Sequence, residues 1–157
     1  MESRPQPTDA VHTTRYGLSD LAFRVLFSSI FLGLGGEHIF SDKLLQLLMP
    51  DWVPYPRAVS IGCGIFLLAG SATILLGYHM RRGAQALAVF LVVVTLSVHL
   101  PGLLERPPEV EEASYWIWDM FQRSNFVKNI CLLGVCIYLM EHRPGRFSLD
   151  YRRAPNV

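Results

Sequence analysis

The sequence predicts an all-α fold, a four-helix bundle embedded in a membrane with both termini on the cytoplasmic side. Three observations carry this expectation. Two apolar runs, residues 58–78 and 83–104, contain no Asp, Glu, Lys or Arg. Each is long enough to cross a hydrocarbon core of about 30 Å as a helix rising about 1.5 Å per residue. They are joined only by His79-Met80-Arg81-Arg82, which forces a tight antiparallel hairpin. Neither run shows the polar stripe of a soluble amphipathic helix.

Composition agrees and narrows the class. With 157 residues, 51% of them hydrophobic, the chain makes one domain whose core is a helix bundle in lipid. A net charge of +1 without a long basic run argues against a nucleic-acid partner. Three cysteines, Cys63, Cys131 and Cys136, form no CxxC and no His/Cys spacing typical of zinc, so no structural metal is expected. Cys131 and Cys136 fall on different faces of one helix, so they cannot bridge each other. A redox pair of Cys63 with Cys131 stands against plain apolar packing.

Taken in order, residues 1–16 read as a flexible tail and not as a cleavable signal, because no short apolar region follows their first charges. The four-helix domain spans 17–142, with helices at about 18–40, 57–79, 82–104 and 124–141. Ser19 or Asp20 is placed to cap the first helix. Arg24 lies near its start, where a long stem can snorkel to headgroups. Ser29, Gly33 and Gly36 in that helix, and Ser60, Gly64, Gly70 and Gly77 in the second, form small-residue seams that let helices approach in lipid.

Residues 43–56 hold Pro50, Pro54 and Pro56 with Trp52 and Tyr55, which suits an irregular segment lying along the interface. After Pro101-Gly102 the chain becomes acidic, with Glu105, Glu109, Glu111 and Glu112, then aromatic, with Tyr115, Trp116 and Trp118. That pattern reads as a loop and a short interfacial helix over 113–122. The last span carries Lys128 about one turn inside. Residues 143–157 form a C-terminal tail.

Orientation follows from the basic residues. Arg4, Arg15, Arg24, Arg81, Arg82, Arg143, Arg146, Arg152 and Arg153 fall on one side. Lys43, Arg57, Arg106, Arg123 and Lys128 fall on the other. The larger group places both termini in the cytoplasm.

This topology brings Glu37, His38 and His99 to the same outer-leaflet depth as Arg123, Lys128 and Asn129. Ionisable groups within a membrane are candidates for function, and bundles build sites from facing helices. Three readings are open. His38 or His99 can hydrogen-bond a quinone carbonyl, with Glu37 passing protons and Arg123, Lys128 and Asn129 in support. The two histidines can ligate a haem or a metal. Or Glu37 and Lys128 neutralise each other and hold the bundle in register.

The residues Gly35-Gly36-Glu37-His38-Ile39-Phe40, then Met49-Pro50-Asp51-Trp52-Val53-Pro54, a glycine-rich second helix, the Arg81-Arg82 hinge and Lys128-Asn129 together resemble the DoxX and DoxX-like membrane proteins. The resemblance covers roughly 21–140 and implies a four-helix bundle in the cytoplasmic membrane of a prokaryote. His38 stands where many members have lysine, and the glutamate many carry in the second helix would fall near Ile65-Phe66 and is absent. The family takes its name from a subunit of a quinone-reducing thiosulfate oxidase, and other members look like accessory proteins of redox assembly.

The function expected is therefore an accessory component or subunit of a membrane redox system, not an enzyme on its own, with Glu37, His38 and His99 lining the site. Quinone is the first cofactor candidate and haem the second. The alternative is a non-enzymatic membrane protein that docks a larger partner or a second copy through its small-residue seams. A transporter ranks third, since no repeats or broken-helix pairs are present.

Overall fold

A computed structural model describes residues 7–41, 49, 52–108 and 110–153. Among them all regular structure is helical. Helix α1 is Pro7–Phe40, α2 is Pro56–Leu76 and α3 is Met80–Val94. A π-helical turn, Thr95–His99, continues α3 into α4, Leu100–Leu104. A 3-10 turn, Glu112–Ser114, leads into α5, Tyr115–Glu141, and α6 is Leu149–Arg153.

Four stretches are long and apolar enough to cross a membrane: Arg15–Phe40, Pro56–Leu76, Met80–Leu104 and Glu112–Glu141. No more than a third of each is buried inside the chain itself. The outer faces carry Leu26, Ile65, Val89, Val93, Leu96, Ile130 and Ile137, all exposed. A water-soluble monomer rarely exposes so much apolar surface, whereas lipid satisfies it. This is a membrane protein.

Helix α1 packs on α2, α2 on α3, and α3 on α5. Phe27, Phe31, Leu67, Ile74, Leu87, Leu91, Cys136 and Leu139 fill the middle. The α1–α2 contact is a backbone approach: a Cβ on Gly64 would lie 2.8 Å from the Gly35 carbonyl oxygen. Nearby, the Ser28 hydroxyl donates to Ser71 O at 3.2 Å. The seam on α1 is thus Ser28 and Gly35, not Ser29, Gly33 and Gly36. Gly33 and Gly36 have nothing near their Cβ positions. One residue is a rotation of about 100°, and an apolar helix in lipid offers no polar face by which the sequence could fix that rotation.

Glycine is required where α2 turns into α3. Gly77 caps α2 at φ +61°, and its amide and that of Tyr78 bond to Ile74 O and Thr73 O at 3.0 and 2.9 Å. His79 follows at φ +48°. The hairpin is as tight as its length requires, with α2 ending at Leu76, a few residues short of the expected limit.

Several boundaries differ from expectation. Helix α1 starts at Pro7, so residues 7–16 are helical and not a tail; proline is well suited to a first helical position. Ser19 and Asp20 therefore sit inside the helix and do not cap it. The surface helix expected over 113–122 is the first part of α5, which runs unbroken from Tyr115 to Glu141. In the interfacial segment 43–56, residues 43–48, 50 and 51 lie outside the described residues, as does Glu109. Trp52 and Tyr55 are exposed.

The C-terminal segment is packed, not loose. Arg24 is fully buried instead of reaching the headgroups. Its Nε bonds Asp20 Oδ2 at 3.0 Å, one Nη donates to Leu75 O at 2.6 Å and the other to Phe147 O at 3.1 Å. Asp20 in turn accepts from His142 Nε2 at 2.8 Å and from the Gly145 amide at 3.0 Å. Asp150 accepts from the His79 and Met80 amides at 3.1 and 3.3 Å, and its own amide donates to Gly77 O at 2.8 Å. A buried ion pair is tolerable only when its remaining polar atoms are bonded, and here Leu75 of α2 and the C-terminal segment supply those partners.

Candidate functional site

At the opposite end of the bundle, some 30 Å along α1 at about 1.5 Å per residue, the polar residues form two small centres. In the first, on α1 and α2, the Ser60 hydroxyl donates to His38 O at 3.0 Å. With its proton committed there, the Ser60 oxygen accepts from His38 Nδ1 at 3.1 Å. In the second, on the π turn and α5, His99 Nδ1 donates to Gln122 Oε1 at 2.8 Å. Gln122 is buried, while both imidazoles are half-buried.

Both rings are therefore held as the Nδ1–H tautomer when neutral, which leaves Nε2 as the basic nitrogen. A bond at one ring nitrogen that fixes the role of the other is the arrangement by which proteins orient a working histidine.

The π turn explains how His99 gets there. Pro101 has no N–H to continue the α ladder, and the chain widens by one residue just before it. Both ends of that turn are tied to α5. Thr95 Oγ1 accepts from Asn129 Nδ2 at 3.0 Å, with both residues buried, and His99 bonds Gln122 seven residues earlier on the same face of α5. Gly102 makes room: a Cβ there would lie 2.5 Å from Gln122 Nε2. Trp118 Nε1 donates to Gly102 O at 2.8 Å and fixes the other flank.

Charges lie between the two centres. Glu37 is exposed and interacts electrostatically with His38 on its own helix and with Lys128 on α5. Lys128 in turn acts on His99 and donates to Asn125 Oδ1 at 2.7 Å. The expected group is thus brought to one end of the bundle, with Glu37 on α1 and Lys128 on α5 acting on each other by charge and forming no ion pair among the described residues. His38 and His99 share no hydrogen bond and belong to separate centres. Asn129 bonds Thr95 at the start of the π turn. Arg123 is exposed at the rim near Asp119, and Arg106 holds Asp119 in a two-pronged pair at 3.0 and 2.8 Å.

The sequence alone does not mark Ser60, Thr95, Gln122 and Gly102 as site residues. The signal available was the spacing of Gln122 and Asn129, two polar residues seven apart in an apolar helix. Among the described residues no group of three or more His, Cys, Asp or Glu could hold a metal. The three thiols are free, with Cys136 buried, Cys63 half-buried and Cys131 exposed.

A family model described as DoxX matches residues 19–100, just over half of the chain. The chain belongs to the DoxX family. The match runs from α1 through the π turn, so it includes Glu37, His38, Ser60 and His99 and stops before α5. No curated protein and no solved structure matches this DoxX chain.

Proposed function

We propose that this DoxX protein is an accessory subunit of a membrane redox system and holds a quinol at the His38–His99 end, without being an enzyme on its own. The observation that carries the reading is the His99 centre. Its Nδ1–H is committed to a buried amide inside a π turn, and its Nε2 is left as a proton acceptor at the depth of a membrane surface. π turns of this kind recur at functional sites.

A quinone–quinol pair, when bound, supplies two-electron, two-proton chemistry. The chain's own part is to orient and to move protons. Nε2 of His99 would hold a ring hydroxyl by accepting its hydrogen bond, and the Lys128 ammonium, whose charge acts on His99, would orient that oxygen. Glu37, exposed and acting on Lys128 and His38, would be the group of this end that exchanges protons with water. The seam between α1 and α5, which are not closely paired among the described residues, would give an apolar tail a way in from lipid.

The membrane proposed is the prokaryotic cytoplasmic membrane, with both termini inside. Arg15, Arg81, Arg82, Arg143, Arg146, Arg152 and Arg153 gather at the opposite end, as that orientation requires. The test is the quinone content of the protein extracted from its own membranes in mild detergent. Expected is a near-stoichiometric quinone in the wild type, with at least a roughly tenfold loss in His99→Ala, the cost of a lost charge-assisted hydrogen bond. Equal content in wild type, His38→Ala and His99→Ala would contradict the reading.

A second reading has its own support. Gly33, Gly36, Gly62 and Gly134 have open space where a Cβ would be, so small-residue faces remain uncovered on three helices. These suit docking of a membrane partner or a second copy. On this reading Gly33→Leu and Gly36→Leu release a co-purifying protein without unfolding the chain; a complex that survives both changes speaks against it.

A further inference from the structure

We propose that residues 143–153 form a reversible clasp: closed, it holds the strained hinge between α2 and α3, and it opens from the bundle as one unit. The proposal is independent of the quinol reading, which concerns the other end of the molecule.

The hinge needs holding. His79 stands at φ +48° and ψ +40°, a left-handed conformation that a residue with a Cβ enters at a cost and keeps only where its surroundings fix it. As the residue that starts α3, it makes no capping bond with its own side chain. The cap comes instead from the end of the chain. Asp150 accepts from the His79 and Met80 amides at 3.1 and 3.3 Å, and its own amide returns a bond to Gly77 O at 2.8 Å. The guanidinium of Arg153 lies 4.5 Å from the centroid of the Tyr78 ring. Helix α6 thus grips the hinge from Gly77 to Met80.

The seat of the clasp is cut to the backbone. A Cβ on Gly17 of α1 would lie 2.8 Å from Arg146 Cγ, and one on Gly145 would lie 3.1 Å from Gly17 Cα. What fastens the segment there is polar. Tyr16 donates to Arg143 O at 3.1 Å, the Gly145 amide to Asp20 at 3.0 Å, and Arg24 to Phe147 O at 3.1 Å. Among the described residues the hydrophobic core draws nothing from 143–153, and the side chains of Leu149 and Tyr151 are exposed. A cavity of about 420 Å³ opens between Tyr16 and the segment.

This combination is what an opening unit requires. Hydrogen bonds at the end of a bundle are exchanged for bonds to water at small net cost. A region with few buried apolar contacts opens at a free energy well below that of global unfolding. The bonds lie along one short stretch of chain, so loosening one end loosens the rest. Release also lets His79 leave its strained conformation, which favours the open state and couples the hinge to the clasp.

Hydrogen exchange of the full chain in mild detergent, read by mass spectrometry, tests the clasp. Expected in the wild type is one common protection factor for the bonded amides of Gly145, Ser148 and Asp150 and for those of His79 and Met80. It should be at least about a hundredfold below that of the middle of α2 and α3. Tyr16→Phe removes one bond, at the opposite end of the segment from Asp150. It should nonetheless speed exchange about two- to fivefold at His79 and Met80 as well as at 145–150, the effect of one lost hydrogen bond on a cooperative unit. Gly17→Leu wedges the segment off its seat and should speed both regions further, while the middle of α2 and α3 stays protected. An effect of Tyr16→Phe confined to 145–150 overturns the proposal. So does exchange at His79 and Met80 as slow in the wild type as in the middle of α2 and α3, or a Gly17→Leu protein that exchanges like wild type.

Discussion

Arg24 is a cation that the sequence alone places wrongly. An arginine one turn into a span reads as a snorkelling side chain, yet it is fully buried against Asp20, Leu75 O and Phe147 O. Two of those acceptors are backbone carbonyls 51 and 123 residues away in sequence, and no pattern in side-chain types announces them. Removing one partner of a buried pair costs about 3–5 kcal/mol because the other charge is stranded. Asp20→Asn and Arg24→Met should each lower thermal stability in detergent strongly. The double variant should be less destabilised than the sum of the two, and strict additivity would show that the charges do not depend on each other. Gly102 is the corresponding residue at the other end. Gly102→Ala should lower the melting temperature only modestly, since the atom it meets is the end of a flexible side chain and one hydrogen bond of about 1 kcal/mol is lost. It should nonetheless displace Gln122 and reduce quinol binding as His99→Ala does. His99 was legible as a polar residue in an apolar run; its partner was not, because the π turn that aligns the two arises from local backbone geometry around Pro101.

At the scale of elements, the spans were legible and their rotations were not. Length and lack of charge suffice to mark a membrane helix, and all four spans are present. Which face of each helix meets its neighbour depends on packing among residues that are all apolar or small. Hence Ser28 and Gly35 form the α1 seam where Ser29, Gly33 and Gly36 were expected, while Ser60 and Gly64 on α2 are buried as expected. The two kinds of glycine should respond differently to one substitution. Gly64→Leu meets the Gly35 carbonyl and should separate α1 from α2, with severe loss of folded protein. Gly33→Leu should express and melt like wild type, and a failure to fold would show that α1 is rotated from the position described.

At the scale of the whole molecule, the two ends of the bundle are built differently. One end is closed by the C-terminal segment, which supplies bonds to Asp20, Arg24 and the start of α3. A chain ending at Pro144 loses the Gly145, Phe147 and Asp150 partners together. Several buried hydrogen bonds of about 1 kcal/mol each correspond to a fall in melting temperature of roughly 10 °C for a chain of this size; an unchanged value would mean that the segment rests on the bundle without closing it. The other end is tied at the π turn and carries two half-buried imidazoles, with Glu37 and Lys128 on different helices near them. A fold that is rigid at one end and chemically equipped at the other is what a subunit offering a quinol site would need. The direct measurement is a titration with a short-chain quinol, read by the fluorescence of Trp118 with Trp52 and Trp116 changed to Phe. Trp118 is bonded to Gly102 beside the His99–Gln122 pair, so a ligand there must alter its emission. The account predicts saturable quenching in the wild type that is lost in His99→Ala and Gly102→Ala. A linear response that is the same in all three proteins would contradict it.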